Sequence, residues 1–229
     1  MPYRILFGVL AILAAAGVIS VAQDACGQCP NLAPADAWAE LEAGNARFVS
    51  GRLKPRADAC RVACTKDSQK PYAIVLSCSD SRVPAEIAFD QRIGDVFAVR
   101  VAGNVATDEA IGSIEYALEH LKTPTIIVVL GHERCGAVDA ALSGEPGHGA
   151  GHDRVPSILN RILPAIAGIP PNLPAGARLE EAVQRNVRYT AKLLASSSEV
   201  IRRAVTEAHV PIQGAYYSVT SGRVTKVVP

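Results

Sequence analysis

Two short segments carry side chains that can hold a metal ion: Ser77-Cys78-Ser79-Asp80-Ser81-Arg82 and Gly131-His132-Glu133-Arg134-Cys135-Gly136. Two thiolates and an imidazole make a good zinc donor set, and three protein donors leave a fourth position for water or substrate. The two-residue gap between His132 and Cys135 lets one turn present both donors to the same ion. Asp80 and Arg82, two residues apart, suit a charge-assisted and bidentate hydrogen bond. That pairing keeps Asp80 ionised and acceptor-only, so any group facing it must bring a proton. Each feature alone has a plain structural reading. A cysteine after an apolar strand is usually a small buried hydrophobe, a His-x-x-Cys is weak evidence for metal, and an Asp-x-Arg is often a solvated ion pair. Their occurrence together, in two turns of one small chain, points to a site.

Both segments follow compact apolar runs. Tyr72 to Ser77, Val96 to Val101 and Thr125 to Leu130 are hydrophobic almost without interruption, which predicts strands of a parallel sheet covered on both faces. Residues just beyond the carboxyl ends of such strands gather at one edge, where ligands bind. Cys78 can therefore meet His132 and Cys135 in space. The run Asp108 to Leu121 predicts the helical crossover that parallel pairing needs. Ala35 to Val49 predicts an N-terminal helix with Asp36 as its cap, and Arg52 to Lys70 reads as a polar arm or loop. Val155 to Ile166 and Leu179 to Ala208 predict two helices joined by the link Pro170 to Pro174. The chain closes on a hairpin, Ile212 to Val219 and Arg223 to Val228, around Ser221-Gly222. The expectation is one α/β domain: a central, mostly parallel sheet with flanking helices and an antiparallel strand near the C-terminus.

Cys78-Ser79-Asp80-Ser81-Arg82 followed by His132-x-x-Cys135-Gly136 resembles the β-class carbonic anhydrases, over about Ala37 to Val227. Supporting stretches are Gly44-Asn45-Ala46-Arg47-Phe48, Gly94-Asp95-Val96-Phe97, Arg100-Val101-Ala102-Gly103-Asn104 and Gly214-Ala215-Tyr216-Tyr217. The resemblance implies the β-carbonic anhydrase fold and reversible hydration of carbon dioxide to bicarbonate, with one zinc ion per chain on Cys78, His132 and Cys135. It implies that Asp80 and Arg82 form the catalytic dyad, whose carboxylate either binds zinc in a closed state or turns to the arginine in an open one. Gln69 and Gly136 match substrate-side positions, Gln69 reaching into the partner subunit's site. Tyr116 corresponds to a family tyrosine near the site. Val75 stands where the bicarbonate-regulated branch has a tryptophan, which favours the plant-like, open branch. The resemblance also implies an intertwined homodimer or a higher assembly. Two rivals stay with the same motifs: a carbon disulfide or carbonyl sulfide hydrolase, and a non-catalytic, zinc-stabilised protein that binds bicarbonate or a partner.

The start of the chain reads as an address. Arg4 precedes the apolar run Ile5 to Ile19, and Ser20-Val21-Ala22 offers small residues where a signal peptidase cuts. Residues 1–22 are expected to be a signal peptide, or else an uncleaved anchor. Residues 23–34 then form a flexible linker, and 35–229 the domain. The expected location is periplasmic or secreted, with inner-membrane anchoring if the segment stays on. An oxidising compartment permits disulfides, so Cys26, Cys29, Cys60 and Cys64 can form two bridges, with three possible connectivities. Cys26-x-x-Cys29 also has the spacing of a redox motif, which makes a thiol-redox protein a third rival. A formal net charge of +1 and 5% aromatic residues predict no strong pull on nucleic acid or on an anionic membrane. His148 and His152 lie in a Gly-rich loop as possible proton carriers, His120 sits near a helix end, and His209 reads as structural.

Overall fold

In the computed structural model, which describes residues 32–54, 58–122, 124–144 and 154–227, the three apolar runs become neighbouring strands of one sheet. These are β1 (Ala73–Ser77), β2 (Val96–Arg100) and β3 (Ile126–His132). With β4 (Ile212–Tyr217) and β5 (Val224–Lys226) they form a sheet of order β2-β1-β3-β4-β5. The first four strands are parallel, and β5 runs antiparallel to β4. The expected α/β architecture is therefore present.

Strand side chains alternate between faces, and here each face has its own core. Ala73, Val75, Val128 and Leu130 pack against Trp38 and Leu41 of helix α1 (Pro34–Val49), and against Phe89 just beyond the short α3 (Ala85–Ala88). Ile74, Leu76, Ile127 and Val129 pack on the opposite side. Their partners come from α4 (Asp108–Tyr116), α7 (Ala175–Ser197) and α8 (Glu199–Thr206), including Ile114, Val187, Leu194 and Ile201. Two covered faces explain why these runs show no polar alternation. Gly44 of α1 is required by contact: a Cβ there would lie 1.8 Å from the Phe89 carbonyl oxygen.

The register sets the site. Ser77, the last residue of β1, pairs with Leu130, while β3 continues two residues further to His132. Cys78 and His132 thus leave the sheet at the same edge. Above that edge α5 (Gly136–Ser143), α6 (Val155–Ile166) and α7 enclose Cys78 and Cys135 with Val138, Leu159, Ile162 and Val183.

Several expectations need correction. Arg52 to Lys70 is not all loop, because Asp58–Thr65 forms a helix, α2. Its one buried side chain is Arg61, which donates to Asp95 at 2.6 Å and to the Ile93 carbonyl at 2.7 Å. A helix docked through a charge leaves no apolar stripe to read. Leu179 to Ala208 is two helices, since Ser198 adopts an extended backbone and caps α8 by accepting from the Ile201 N–H at 3.1 Å. The crossover ends in a π turn over Ala117–Leu121 rather than as α-helix throughout. Helix α1 is capped at Ala33, with Pro34 in its first turn, so Asp36 lies inside the helix. Cys60 is disulfide-bonded while Cys64 is an exposed free thiol, so two bridges among the four extra cysteines are not formed. Cys26, Cys29, His148 and His152 lie outside the described residues.

Candidate metal centre

Cys78 sits one residue past β1, His132 ends β3, and Cys135 immediately precedes α5. The structure brings these three together: their donor atoms lie within 4.8 Å of one another, and all three residues are buried. The turn that makes this possible places Arg134 in the left-handed region, at φ 55°. His132 is fully buried, and its Nδ1 lies 2.9 Å from the Glu133 carbonyl oxygen. A proton on Nδ1 satisfies that contact and leaves the lone pair on Nε2, the tautomer a metal needs. Nε2 has no hydrogen-bond partner among the described residues. A buried, unpartnered imidazole nitrogen beside two thiols is a donor set that a soft or borderline cation fits.

The two sulfurs are unequal. Cys78 accepts from the Cys135 thiol, and this contact outweighs burial and lowers the Cys78 pKa well below the ordinary thiol range. The backbone N–H groups of Asp80 (3.4 Å) and Gly103 (3.3 Å) add to the effect. The same contact with Cys78, helped by burial, pushes the Cys135 thiol well up. The contact thus favours the thiolate form at Cys78 over Cys135. Gly103 can aim its N–H at that sulfur because it sits at φ 68°, where a Cβ would also meet Ile162 at 2.8 Å. Asn186, buried in α7, donates to the Gly103 carbonyl at 2.7 Å and fixes this turn.

Asp80 and Arg82 form the expected fork. Arg82 Nε donates to Asp80 Oδ1 at 2.9 Å and Nη2 to Oδ2 at 2.6 Å, while the Arg82 backbone N–H adds a bond to Oδ1 at 2.9 Å. Hydrogen bonding from the Arg82 side chain holds the Asp80 carboxyl well below the usual carboxylate range. Asp80 Oδ2 stands 3.9 Å from His132 Nε2, so the ionised carboxylate borders the donor cluster while engaged with Arg82. Arg100, at the end of β2, braces the same turn by donating to the carbonyls of Asp80 (2.7 Å) and Cys78 (3.2 Å). Gly136 opens α5 directly after Cys135. Gln69 is elsewhere: it lines an open hollow with Tyr116 and His120, whose rings stack at 4.9 Å, and none of the donor residues lines that hollow.

Sequence reasoning missed Arg100, Asn186 and the side chain of Glu133. Arg100 carried a readable signal, a charge closing an apolar strand. Asn186 and Glu133 carried none, because their partners lie 83 and 85 residues or more away.

Residues 73–224 match the model of a family described as carbonic anhydrase. The chain is 42% identical to a carbonic anhydrase of Mycolicibacterium smegmatis, covering 85% of this chain and 94% of that protein. It is 40% identical to carbonic anhydrase 2 of Mycobacterium tuberculosis, covering 85% and 93%. Among solved structures it is similar to the β-carbonic anhydrase CafA of Aspergillus fumigatus, with TM-score 0.64, 28% identity and coverage of 72% and 79%. It is also similar to a structure from work on two tetrameric β-carbonic anhydrases of Sordaria macrospora, with TM-score 0.61, 26% identity and coverage of 72% and 84%.

Proposed function

The chain belongs to the carbonic anhydrase family, in its β class, and so catalyses the reversible hydration of carbon dioxide to bicarbonate and a proton; we propose that it does so with one zinc ion per chain, held by Cys78, His132 and Cys135. One observation carries the metal assignment: a buried His132 Nε2 without a partner, grouped with two buried sulfurs. When bound, zinc would supply Lewis acidity that lowers the pKa of water toward about 7, tempered here by two thiolate donors. Similarity to carbonic anhydrases over 85% of the chain favours neither the sulfur-substrate hydrolase nor the silent binding protein.

The chain's own residues then have definite tasks. The Asp80 carboxylate, ionised and held at both oxygens by Arg82, accepts a proton-bearing oxygen and turns away one without a proton. It thereby orients the hydroxyl of the nascent bicarbonate. Its engagement with Arg82 rather than with the donor cluster supports the open arrangement. Apolar side chains around the two cysteines, among them Val105, Val138 and Ile162, keep a dry wall suited to carbon dioxide, a small apolar substrate. Gly136, next to Cys135, borders the substrate side.

Gln69 binds substrate in this reading only from a second copy, and a homodimer is the assembly that supplies it. Exposed Ile87 and Ile93, with the half-buried Val96 and Phe97 of the edge strand β2, support such an interface. Residues 35–229 form the catalytic domain behind a signal peptide (1–22) and linker (23–34), placing the enzyme in the periplasm or outside the cell. An oxidising compartment also permits the disulfide at Cys60. Intact-mass measurement after expression in a bacterial host is expected to find Gln23 as the first residue; a chain retaining Met1 would favour the anchor. For the metal, zinc titration of the stripped chain against a chromophoric chelator is expected to saturate at one ion per chain. Binding that survives Cys135→Ser unchanged would overturn the ligand assignment.

A further inference from the structure

The imidazole of His132 is oriented by the hydrogen bond that its Nδ1 makes, at 2.9 Å, to the carbonyl of its own chain neighbour, Glu133. A carbonyl can orient a ring only if its peptide is itself held, and Glu133 is held twice. Its N–H donates to the Tyr217 carbonyl at 2.8 Å, continuing the pairing of β3 with β4. Its carboxylate crosses to the turn between β4 and β5. There Oε2 accepts from Ser218 Oγ at 2.8 Å and from the Thr220 N–H at 3.0 Å, and Oε1 accepts from Thr220 Oγ1 at 2.8 Å. These bonds hold the Glu133 carboxyl below its ordinary range, Thr220 contributing most.

The turn is braced from its far side as well. The Gly222 N–H donates to the Ser218 carbonyl at 2.8 Å. Asn45, from α1, donates to the Gly222 carbonyl at 2.8 Å and accepts from the Val224 N–H at 2.8 Å. Glu133 therefore joins a turn hydrogen-bonded on both sides to the carbonyl that His132 leans on. The Arg134 guanidinium, 3.7 Å from Glu133 Oε1 and mostly exposed, adds little. The residue after Glu133 is in the left-handed region, so the peptide that carries this carbonyl lies within a sharp turn.

We propose that Glu133 is a positioning residue for the metal centre: fixed by Ser218 and Thr220, its side chain holds the carbonyl that aims His132 Nε2 at the two cysteine sulfurs. This rests on reading Cys78, His132 and Cys135 as a zinc site. It adds to that reading a third layer, in which a surface turn some 85 residues along the chain governs how well the ring is set.

The test is zinc affinity by chelator competition, together with the visible absorption of the cobalt-substituted protein. The full chain is compared with Glu133→Ala, Glu133→Gln, the pair Ser218→Ala/Thr220→Val, and the combination of that pair with Glu133→Ala. Glu133 lies at the surface end of the turn, and Glu133→Gln keeps its shape and one acceptor oxygen. Glu133→Ala is expected to weaken zinc about 10-fold, in the range for groups that support metal-binding histidines, and to alter the cobalt spectrum. Glu133→Gln recovers most of both. The combined variant is no weaker than Glu133→Ala, because all three groups act through one contact. Native zinc affinity and cobalt spectrum in Glu133→Ala, or losses that simply add, would mean that Glu133 only staples the turn, and would overturn the proposal. A native chain that takes up no zinc would overturn the metal reading itself, and the proposal with it.

Discussion

The two turns that build the metal centre leave parallel strands at the same edge, yet they are held in opposite ways. The Cys78 turn is held by donors aimed inward. The N–H groups of Asp80 and Gly103 point at the sulfur, and Arg100 grips the carbonyls of Cys78 and Asp80. The His132–Cys135 turn is held by an acceptor: the Glu133 carbonyl receives the imidazole Nδ1–H. Each support matches the charge of its ligand. A thiolate is stabilised by surrounding N–H groups, and a neutral imidazole is oriented, and made a better donor, by a carbonyl. The two turns also differ in backbone. Gly103 occupies a left-handed position where a Cβ would press on the Ile162 side chain at 2.8 Å, whereas Arg134 occupies one with an exposed side chain and no steric need for glycine.

The contrast can be broken at several points. The largest effect is expected on the Cys78 side at Asp80: Asp80→Asn should lower carbon dioxide hydration on the order of 100-fold while zinc stays bound. An unchanged rate would remove Asp80 from the mechanism. Next in size is Gly103→Ala, which forces a Cβ toward Ile162 in a left-handed position and should cost roughly 1–3 kcal/mol in denaturant melts. Full stability would mean that the turn can shift without strain. Smallest is Arg134→Gly, which relieves a left-handed residue and should stabilise by up to about 1 kcal/mol with zinc affinity unaltered. Lost stability there would reveal a contact of the Arg134 side chain that matters.

Acid behaviour sharpens the same comparison. A carboxylate whose folded pKa is depressed contributes stability that is present above its unfolded value, about 3.9 for Asp, and lost as pH falls through the folded value. Arg82 depresses Asp80, so in the native chain the share of stability held by this pair should persist as pH falls below the ordinary Asp value. Arg82→Met raises the carboxyl toward that value and removes this share, so acid unfolding followed by circular dichroism should begin at higher pH than in the native chain. An acid-unfolding midpoint that stays in place would detach Arg82 from Asp80.

Much of this was legible in the sequence, for identifiable reasons. The strands could be read because Ile74 and Val75, or Val128 and Val129, face opposite cores that are both apolar. The donor set could be read because Cys78 and the His132/Cys135 pair directly follow such strands. Helix α2 could not be read, since it docks through Arg61 and Asp95 rather than through an apolar stripe. Nor could the break at Ser198, where apolar spacing continues across the junction from Leu194 to Ile201 and only the backbone changes. The supports of the ligands stayed hidden because Asn186 and Glu133 act across contacts that pair residues far apart in the chain. Gln69 came from resemblance alone, and its role depends on a second copy.

The most direct measurement is stopped-flow hydration of carbon dioxide by the chain from Gln23 onward, with zinc per chain determined on the same sample, beside Cys78→Ser. The account predicts fast hydration with one zinc per chain, and the loss of both in the variant. Fast hydration by a sample holding no zinc, or by Cys78→Ser at the native rate, would contradict it.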